Sequence, residues 1–331
     1  METRNDFPQT LLEAIRYFSN IDTCIEFLVS QRWPNGVTCP TCGSKDVHYL
    51  ANQRRWKCRN THDHRQFSIK VGTIFEDSPI GLDKWLAAAW MLGACKNGIS
   101  SYEIHRGLGV TQKTAWFMMH RIRKAMQDGS FMKFAGQCEV DETFIGGKAR
   151  NMHIDVKKRR ITGSGPTDKT AVFGVLERGD KEKGTHSKVK TVVVSNRKKK
   201  TLQAEVKAHV EAGSHLYSDA LLSYDGLESD YAHKVVDHAV EYVRGKVHTN
   251  GMENFWCLTD RTIGGTYVSV EPFHLFRYLD EQSFRFNNRG HRDMPVNDAD
   301  RFKMVVGGIV GKRLTFDELT GKNLVGVSEP F

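Results

Sequence analysis

The sequence predicts a mixed α/β domain preceded by two small modules, a cysteine-held hairpin and a pair of helices. Three observations predict it. QCEVDETFIGG, TAVFGVL and VKTVVV alternate or run apolar as half-buried and buried strands do, with helical patterns between and after them. Between about residues 37 and 75 the texture shifts to Cys, Gly, Trp and β-branched residues with turn signals. From Leu82 to about Met126 apolar residues recur at helical spacing.

At 331 residues the chain has room for roughly two domains of ordinary size. Hydrophobic residues make up 39% and charged residues 26%, which suits a globular protein. No apolar run approaches the roughly 20 residues of a bilayer span. The start, METRNDFPQTLLEAIRYF, lacks the basic-then-apolar order of a secretory signal, so a cytoplasmic protein with no membrane partner is expected. Lys plus Arg number 48 against 39 Asp plus Glu, and the formal charge of +9 makes polyanions the natural partners. Seven cysteines, four of them isolated (Cys24, Cys95, Cys138, Cys257), do not form a disulfide framework.

Residues 1–36 read as a helical segment, with Leu11, Leu12, Ile15 and Phe18, then Ile25, Phe27 and Leu28, as apolar stripes. The hairpin module occupies 37–76 and the helical region 77–130. After a linker bracketed by Gly129 and Gly136, the catalytic domain runs over 137–295, and 296–331 is left as a C-terminal tail. Lys148 to Lys169, with Lys157, Lys158, Arg159 and Arg160, reads as a mobile basic loop. Asn250 to Arg289 reads as mostly helical, broken at Gly264-Gly265 and Pro272.

Cys39-Pro-Thr-Cys42-Gly is a metal knuckle: two thiolates three positions apart reach one ion, and Gly43 permits the tight turn. Cys58 offers a third ligand and His62 a fourth, with His64 as the alternative. Such a closed set of three sulfurs and one nitrogen holds a structural Zn²⁺, because it leaves no position for a substrate.

Residues 98–126 read as a helix-turn-helix, with a short helix from about Ser101 to Gly107, a Gly109 turn, and a second helix capped by Thr111. Ala115, Met118 or Met119, Ile122 and Met126 would face the core. Gln112, Trp116, His120 and Arg123 form the opposite stripe. Gln112, Lys113 and Trp116 at the amino end suit base edges, while Arg121, Arg123 and Lys124 suit phosphates.

Three acids complete the reading. Asp141 lies in a strand, opposite in facing to Val140 and Glu142. Asp219 ends the strand HLYSD, at the carboxyl end where α/β folds place chemistry. Glu253 opens a helix anchored by Phe255 and Trp256, with Asn250 one turn earlier. Singly, each would read as an exposed or capping residue. A strand centre, a strand end and an anchored helix, however, are places from which a sheet with a flanking helix can bring three carboxylates together. Convergent carboxylates hold hard cations such as Mg²⁺ or Mn²⁺, and two such ions are what phosphodiester chemistry needs.

VDETFIGG, YSDALLSYDGL, HTNGMENFW and GGTYVSVEPFHLFRYLDEQSFRFNNR, preceded by CPTC and QFSIKVGTIFEDSPI, resemble the bacterial insertion-sequence transposases of the DDE superfamily that carry an N-terminal zinc ribbon. The likeness runs from about residue 20 to 290. It implies a ribonuclease-H-like catalytic core, two Mg²⁺ or Mn²⁺ ions, nicking at the element's terminal inverted repeats, and strand transfer to target DNA. Because two ends must be joined, a homodimer or higher oligomer on DNA is expected. Asp141, Asp219 and Glu253 fall at the family's acidic positions. Members often carry a basic residue seven places after the third acid; here Asp260 stands there and Arg261 follows. Some relatives use asparagine at the third site, so the resemblance offers Asn250 or Asn254 as a candidate ligand beside or instead of Glu253. The ribbon's fourth ligand is often cysteine, and this chain offers histidine. The alternatives are a catalytically silent DNA-binding regulator derived from a transposase, or a different two-metal DNA nuclease.

Overall fold

The structure, a computed structural model, describes residues 7–127, 129, 132–147, 153–155, 158, 169–180, 182, 184–219, 222–236, 247–290 and 295–321. Most of the basic stretch from Lys148 to Lys169 lies outside them. The elements are α1 (Leu11–Tyr17), α2 (Ile21–Arg32), β1 (Val47–Leu50), β2 (Arg55–Cys58), β3 (Gln66–Phe67), α3 (Leu82–Ala94), α4 (Ser101–Leu108), α5 (Gln112–Met126), β4 (Gln137–Ile145), β5 (Thr170–Glu177), β6 (Lys188–Val194), α6 (Lys199–His209), β7 (His215–Asp219), β8 (Ala232–Val236), α7 (Asn250–Arg261), α8 (Leu275–Asn287), α9 (Asp298–Gly307) and α10 (Phe316–Thr320). The chain divides into two compact units, Met1–Gln127 with Val296–Val327, and Asp128–Pro295 with Ser328–Phe331. Among the described residues no helix is long and apolar enough to cross a membrane.

In the first unit, Thr10 with Glu13 and Ser100 with Glu103 form capping boxes that start α1 and α4, and Asn20 and Thr111 cap α2 and α5. Phe18, Phe27 and Phe302 pack with ring centroids 5.1–5.7 Å apart, and Trp90 lies 5.0 Å from Phe302. This core corrects one expectation. Residues 296–321 are no tail: α9 packs on α3 and α5. The ribbon is a three-stranded antiparallel sheet in the order β1-β2-β3, with Trp56 stacked on Phe67. Helix α4 ends at Gly109, whose left-handed conformation (φ 59°) turns the chain into α5.

The second unit is built on a five-stranded sheet in the order β6-β5-β4-β7-β8. Strand β4 pairs antiparallel with β5 and parallel with β7; β5 pairs antiparallel with β6, and β7 parallel with β8. Alternation along β4 divides the core in two. Cys138 and Val140 join Phe173, Leu202 and Val206 on the α6 side, while Val172 and Leu176 of β5 meet Met252, Phe255, Trp256 and Leu279 of α7 and α8 on the other. Met252, Phe255, Trp256 and Thr259 are the buried residues of α7, a helical stripe that docks this helix on the sheet. After Arg261 the chain continues in a π-helical turn, Thr262–Tyr267, through Gly264 and Gly265.

Candidate active site and zinc-ligand group

In the ribbon the ligand atoms of Cys39, Cys42, Cys58 and His62 lie within 4.8 Å of one another. Cys39 Sγ is 3.4 Å from His62 Nε2 and Cys42 Sγ is 3.6 Å from Cys58 Sγ. Sulfurs about 2.3 Å from a shared zinc stand about 3.8 Å apart in a tetrahedron, so the donor set fits that ion. Burial raises the Cys39 thiol, but the backbone amides of Cys42 and Thr41 and the neighbouring thiols outweigh it and bring the value down to about 7. His62 Nδ1 contacts the Asp63 carbonyl at 2.6 Å, which fixes the ring with Nε2 toward sulfur. His64, the alternative ligand, is outside this group and sits in a left-handed turn (φ 56°).

On the helix pair the sequence-predicted contacts separate into two kinds. Gln112 is half-buried and its amide donates to Ser101 Oγ at 2.8 Å. Lys113 is exposed, with its ammonium over the Phe316 ring; Trp116 is half-buried edge-on to His120. Arg121, Arg123 and His120 are buried, contrary to an outward-facing stripe. The Arg121 guanidinium donates to the carbonyls of Leu314, Ile74 and Glu76 at 2.7–2.9 Å, and Lys124 donates to the Arg313 carbonyl. The buried Arg121 guanidinium, committed to backbone oxygens, holds this unit together and is not placed to meet phosphate, and Arg123 is buried at 1% exposed.

In the second unit the pairing of β4 with β7 runs Glu139 opposite Tyr217, so Asp141 and Asp219 come to the same end of adjacent parallel strands. Helix α7 brings Glu253 within electrostatic reach of Asp141. Asp141 is pushed up to about 7, first by burial, then by the charges of Glu142, Asp219 and Glu253, against the lowering hydrogen bond from the Glu142 amide. Both Asp141 oxygens accept hydrogen bonds: Oδ1 from the Glu142 N–H at 2.8 Å and Oδ2 from the Trp256 indole at 3.1 Å. Glu253 is exposed, and its carboxylate accepts from the Thr249 hydroxyl at 3.4 Å. Asn250, Asn254, Asp260 and Arg261 are exposed on the same helix, and partial desolvation by neighbouring residues raises the Asp260 carboxyl while Lys169 opposes it.

Glu142 points to the other face. It accepts from the buried Tyr224 hydroxyl at 2.6 Å, and Arg197 stands 3.8 Å away. Desolvation raises its carboxyl, with the Tyr224 hydrogen bond opposing. A cation would relieve the charge that Glu142, Asp219 and Glu253 add to the burial of Asp141, although among the described residues only the four zinc ligands have their donor atoms gathered within 4.8 Å.

Sequence reasoning missed the groups that hold this cluster. Gly174 of β5 faces Asp141 in the ladder, and a Cβ there would meet the Trp256 ring at 2.6 Å. A glycine inside the apolar strand TAVFGVL was the available signal. Glu139 is 1% exposed, pairs with Arg178 at 2.6 Å and accepts the Met252 N–H at 3.0 Å. An acid at an inward strand position was the signal there.

Residues 133–287 match the family described as an ISXO2-like transposase domain, and residues 20–63 match a transposase zinc-ribbon domain. The chain is 27% identical over 284 residues to an uncharacterized protein in transposable element ISH50 of Halobacterium salinarum, an alignment covering 80% of this chain and 90% of the relative. It is 33% identical over 102 residues to an uncharacterized transposase-like protein of Haemophilus influenzae, covering 30% of this chain and 82% of the relative.

Proposed function

Because the chain belongs to the insertion-sequence transposases of the DDE superfamily in which a zinc ribbon precedes the transposase domain, we propose that it binds its element's terminal inverted repeats and catalyses divalent-metal-dependent strand cleavage and strand transfer. What supports this reading is the register of β4 on β7, which puts Asp141 and Asp219 at the same end of adjacent strands, with Glu253 of α7 adding its charge to that of Glu142 and Asp219 on Asp141. The strand order supports a ribonuclease-H-like core: counted from β4 as first, the sheet reads 3-2-1-4-5, with the first three antiparallel and the last two parallel.

Asp141, Asp219 and Glu253 would hold two Mg²⁺ or Mn²⁺ ions. When bound, these supply charge stabilisation at the transferring phosphorus and a lowered pKa for the attacking hydroxyl or water. Asp141, central and hydrogen-bonded on both oxygens, is fixed in place. Glu253, exposed at the helix start, is the ligand most open to solvent and DNA. In cleavage, water adds to the phosphorus at the element's end and the bond to the 3′ oxygen breaks, which frees a 3′-hydroxyl. That hydroxyl then attacks a target phosphodiester and displaces its 3′ oxygen, joining element to target.

In the first unit, Gln112, Lys113 and Trp116 are the residues we assign to DNA, with Lys124 at the edge; Arg121 and Arg123 are withdrawn from that role. Zinc on Cys39, Cys42, Cys58 and His62 would hold the ribbon's fold and take no part in chemistry. Joining two ends calls for two or more copies on DNA, in the cytoplasm.

The test is incubation of the purified chain with a duplex carrying the element's end and Mg²⁺ or Mn²⁺. Nicking at the end and joining to a second duplex are expected. Binding without cleavage would leave a DNA-binding regulator, and hydrolysis without joining a nuclease.

A further inference from the structure

Glu139 lies two residues before Asp141 on β4 and shares its face. Its carboxylate is among the most buried acids described, at 1% exposed. One oxygen is 2.6 Å from Arg178 Nε, and the other accepts the backbone N–H of Met252 at 3.0 Å. Met252 is the third residue of α7, and the residue preceding that helix, Thr249, makes no side-chain cap. Glu139 therefore satisfies, from a strand, an N–H that the first turn of the helix would otherwise leave orphaned.

The helix is pinned a second time, one turn later, by the Trp256 indole on Asp141. Two residues along a strand span about 6.7 Å and four along a helix about 6 Å. The pair Glu139–Asp141 thus matches the pair Met252–Trp256, and α7 has one height along β4 at which both contacts form. Gly251 lets this happen: a Cβ there would stand 2.7 Å from Glu139 Oε2. Arg178 extends the clamp to the chain entering the helix, donating to the His248 carbonyl at 2.6 Å and to His248 Nδ1 at 2.9 Å, while its guanidinium covers the Tyr217 ring.

Glu253 directly follows Met252. We propose that Glu139 is a positioning residue for the third acid, taking no metal itself but fixing the height of α7 over β4 so that Glu253 faces Asp141. This rests on the reading of Asp141, Asp219 and Glu253 as a divalent-metal site.

The test uses the full chain and Mn²⁺ alone, with binding followed by electron paramagnetic resonance and folding by circular dichroism. Glu139→Gln keeps the size but loses the charge that pairs with Arg178, and offers one acceptor oxygen to two donors, Arg178 Nε and the Met252 N–H. It is expected to remain folded and to weaken Mn²⁺ binding about tenfold, as groups behind metal ligands do. Gly251→Ala, which alters no carboxylate itself but crowds that of Glu139, should weaken it similarly, and so serves if Glu139→Gln fails to fold. In a Glu253→Ala background the Glu139→Gln change should add little, because its effect runs through Glu253. Unchanged Mn²⁺ affinity in folded Glu139→Gln or Gly251→Ala, or full additivity with Glu253→Ala, overturns the proposal while the metal site stands. A wild-type chain whose Mn²⁺ binding ignores Asp141→Asn overturns the metal-site reading and this proposal together.

Discussion

The Trp256 indole donates to the Asp141 carboxylate at 3.1 Å, so the ring that anchors α7 to the sheet also orients the central acid. Gly174, opposite Asp141 in the ladder, leaves the space in which that ring lies. Packing and the proposed metal site thus share one side chain. The sheet cannot shift against α7 without moving a carboxylate of the site.

Trp256→Phe separates these two functions, because phenylalanine keeps an aromatic body and removes the donor. Folding should survive with a loss of about 1.5–3 kcal/mol for the lost hydrogen bond to a charged group. Divalent-ion affinity should fall about tenfold, since the acid loses its orienting partner. Calorimetric titration with Mn²⁺ checks this, and an unchanged affinity would show that the indole serves packing alone.

Asp141 links stability to pH. Its pKa is raised to about 7 in the folded chain, chiefly by burial and next by Glu142. An acid raised on folding stabilises the folded state fully below its unfolded value, and that contribution is lost as pH climbs through the folded one. In chelator, the second unit should therefore lose on the order of 2–3 kcal/mol between about pH 5 and about pH 8 from this group. Asp141→Asn should flatten that slope, and added Mg²⁺ should restore the wild type but not the variant. Urea unfolding across this range decides it: parallel slopes for wild type and variant would mean Asp141 is not the group responsible.

The ribbon predicts a metal-dependent fold of a different kind. Its four ligands come from the Cys39–Cys42 knuckle, the end of β2 and the following loop, with a small sheet between them. Releasing the ion by chelation, or Cys39→Ser, should unfold this sheet and weaken DNA binding, while the second unit's pH-dependent unfolding stays as it was. About one zinc per chain is expected on acid release. A metal-free preparation with an intact ribbon and full end recognition would refute the assignment.

These sites differ in how much of them the sequence displays. The knuckle is local, so Cys39, Cys42 and Cys58 are legible from spacing alone, and only the choice of His62 over His64 needed geometry. The placement of the three proposed acids is legible because each sits at a recognisable place: mid-strand, strand end, start of a helix whose buried stripe Met252, Phe255, Trp256 shows its facing. What supports them is not legible, because the partners are distant. Glu139 meets residues 39 and 113 positions away. Arg121 fails for the same reason: on a helical wheel it is an outward cation, but its carbonyl partners lie up to 193 positions away. Residues 296–321 read as a tail because their core, Trp90 and Phe27 around Phe302, belongs to the other end of the chain.

The helix pair therefore yields a prediction with two opposite outcomes. Arg121 is 4% exposed and donates to three backbone carbonyls, so Arg121→Ala strands buried acceptors and should destabilise the first unit by about 3 kcal/mol or more. Any loss of DNA affinity in that variant should follow the unfolding, and vanish at temperatures where the variant is folded. Lys113 is exposed at the amino end of α5, so Lys113→Ala should leave melting unchanged within about 0.5 kcal/mol. If Lys113 meets a phosphate, its loss should reduce the slope of log affinity against log salt by about one contact, roughly 0.9 for duplex DNA. Melting curves and salt titrations on the same two proteins separate the roles. A stable Arg121→Ala with a reduced salt slope would return Arg121 to the DNA surface, and an unaltered slope in Lys113→Ala would remove Lys113 from it.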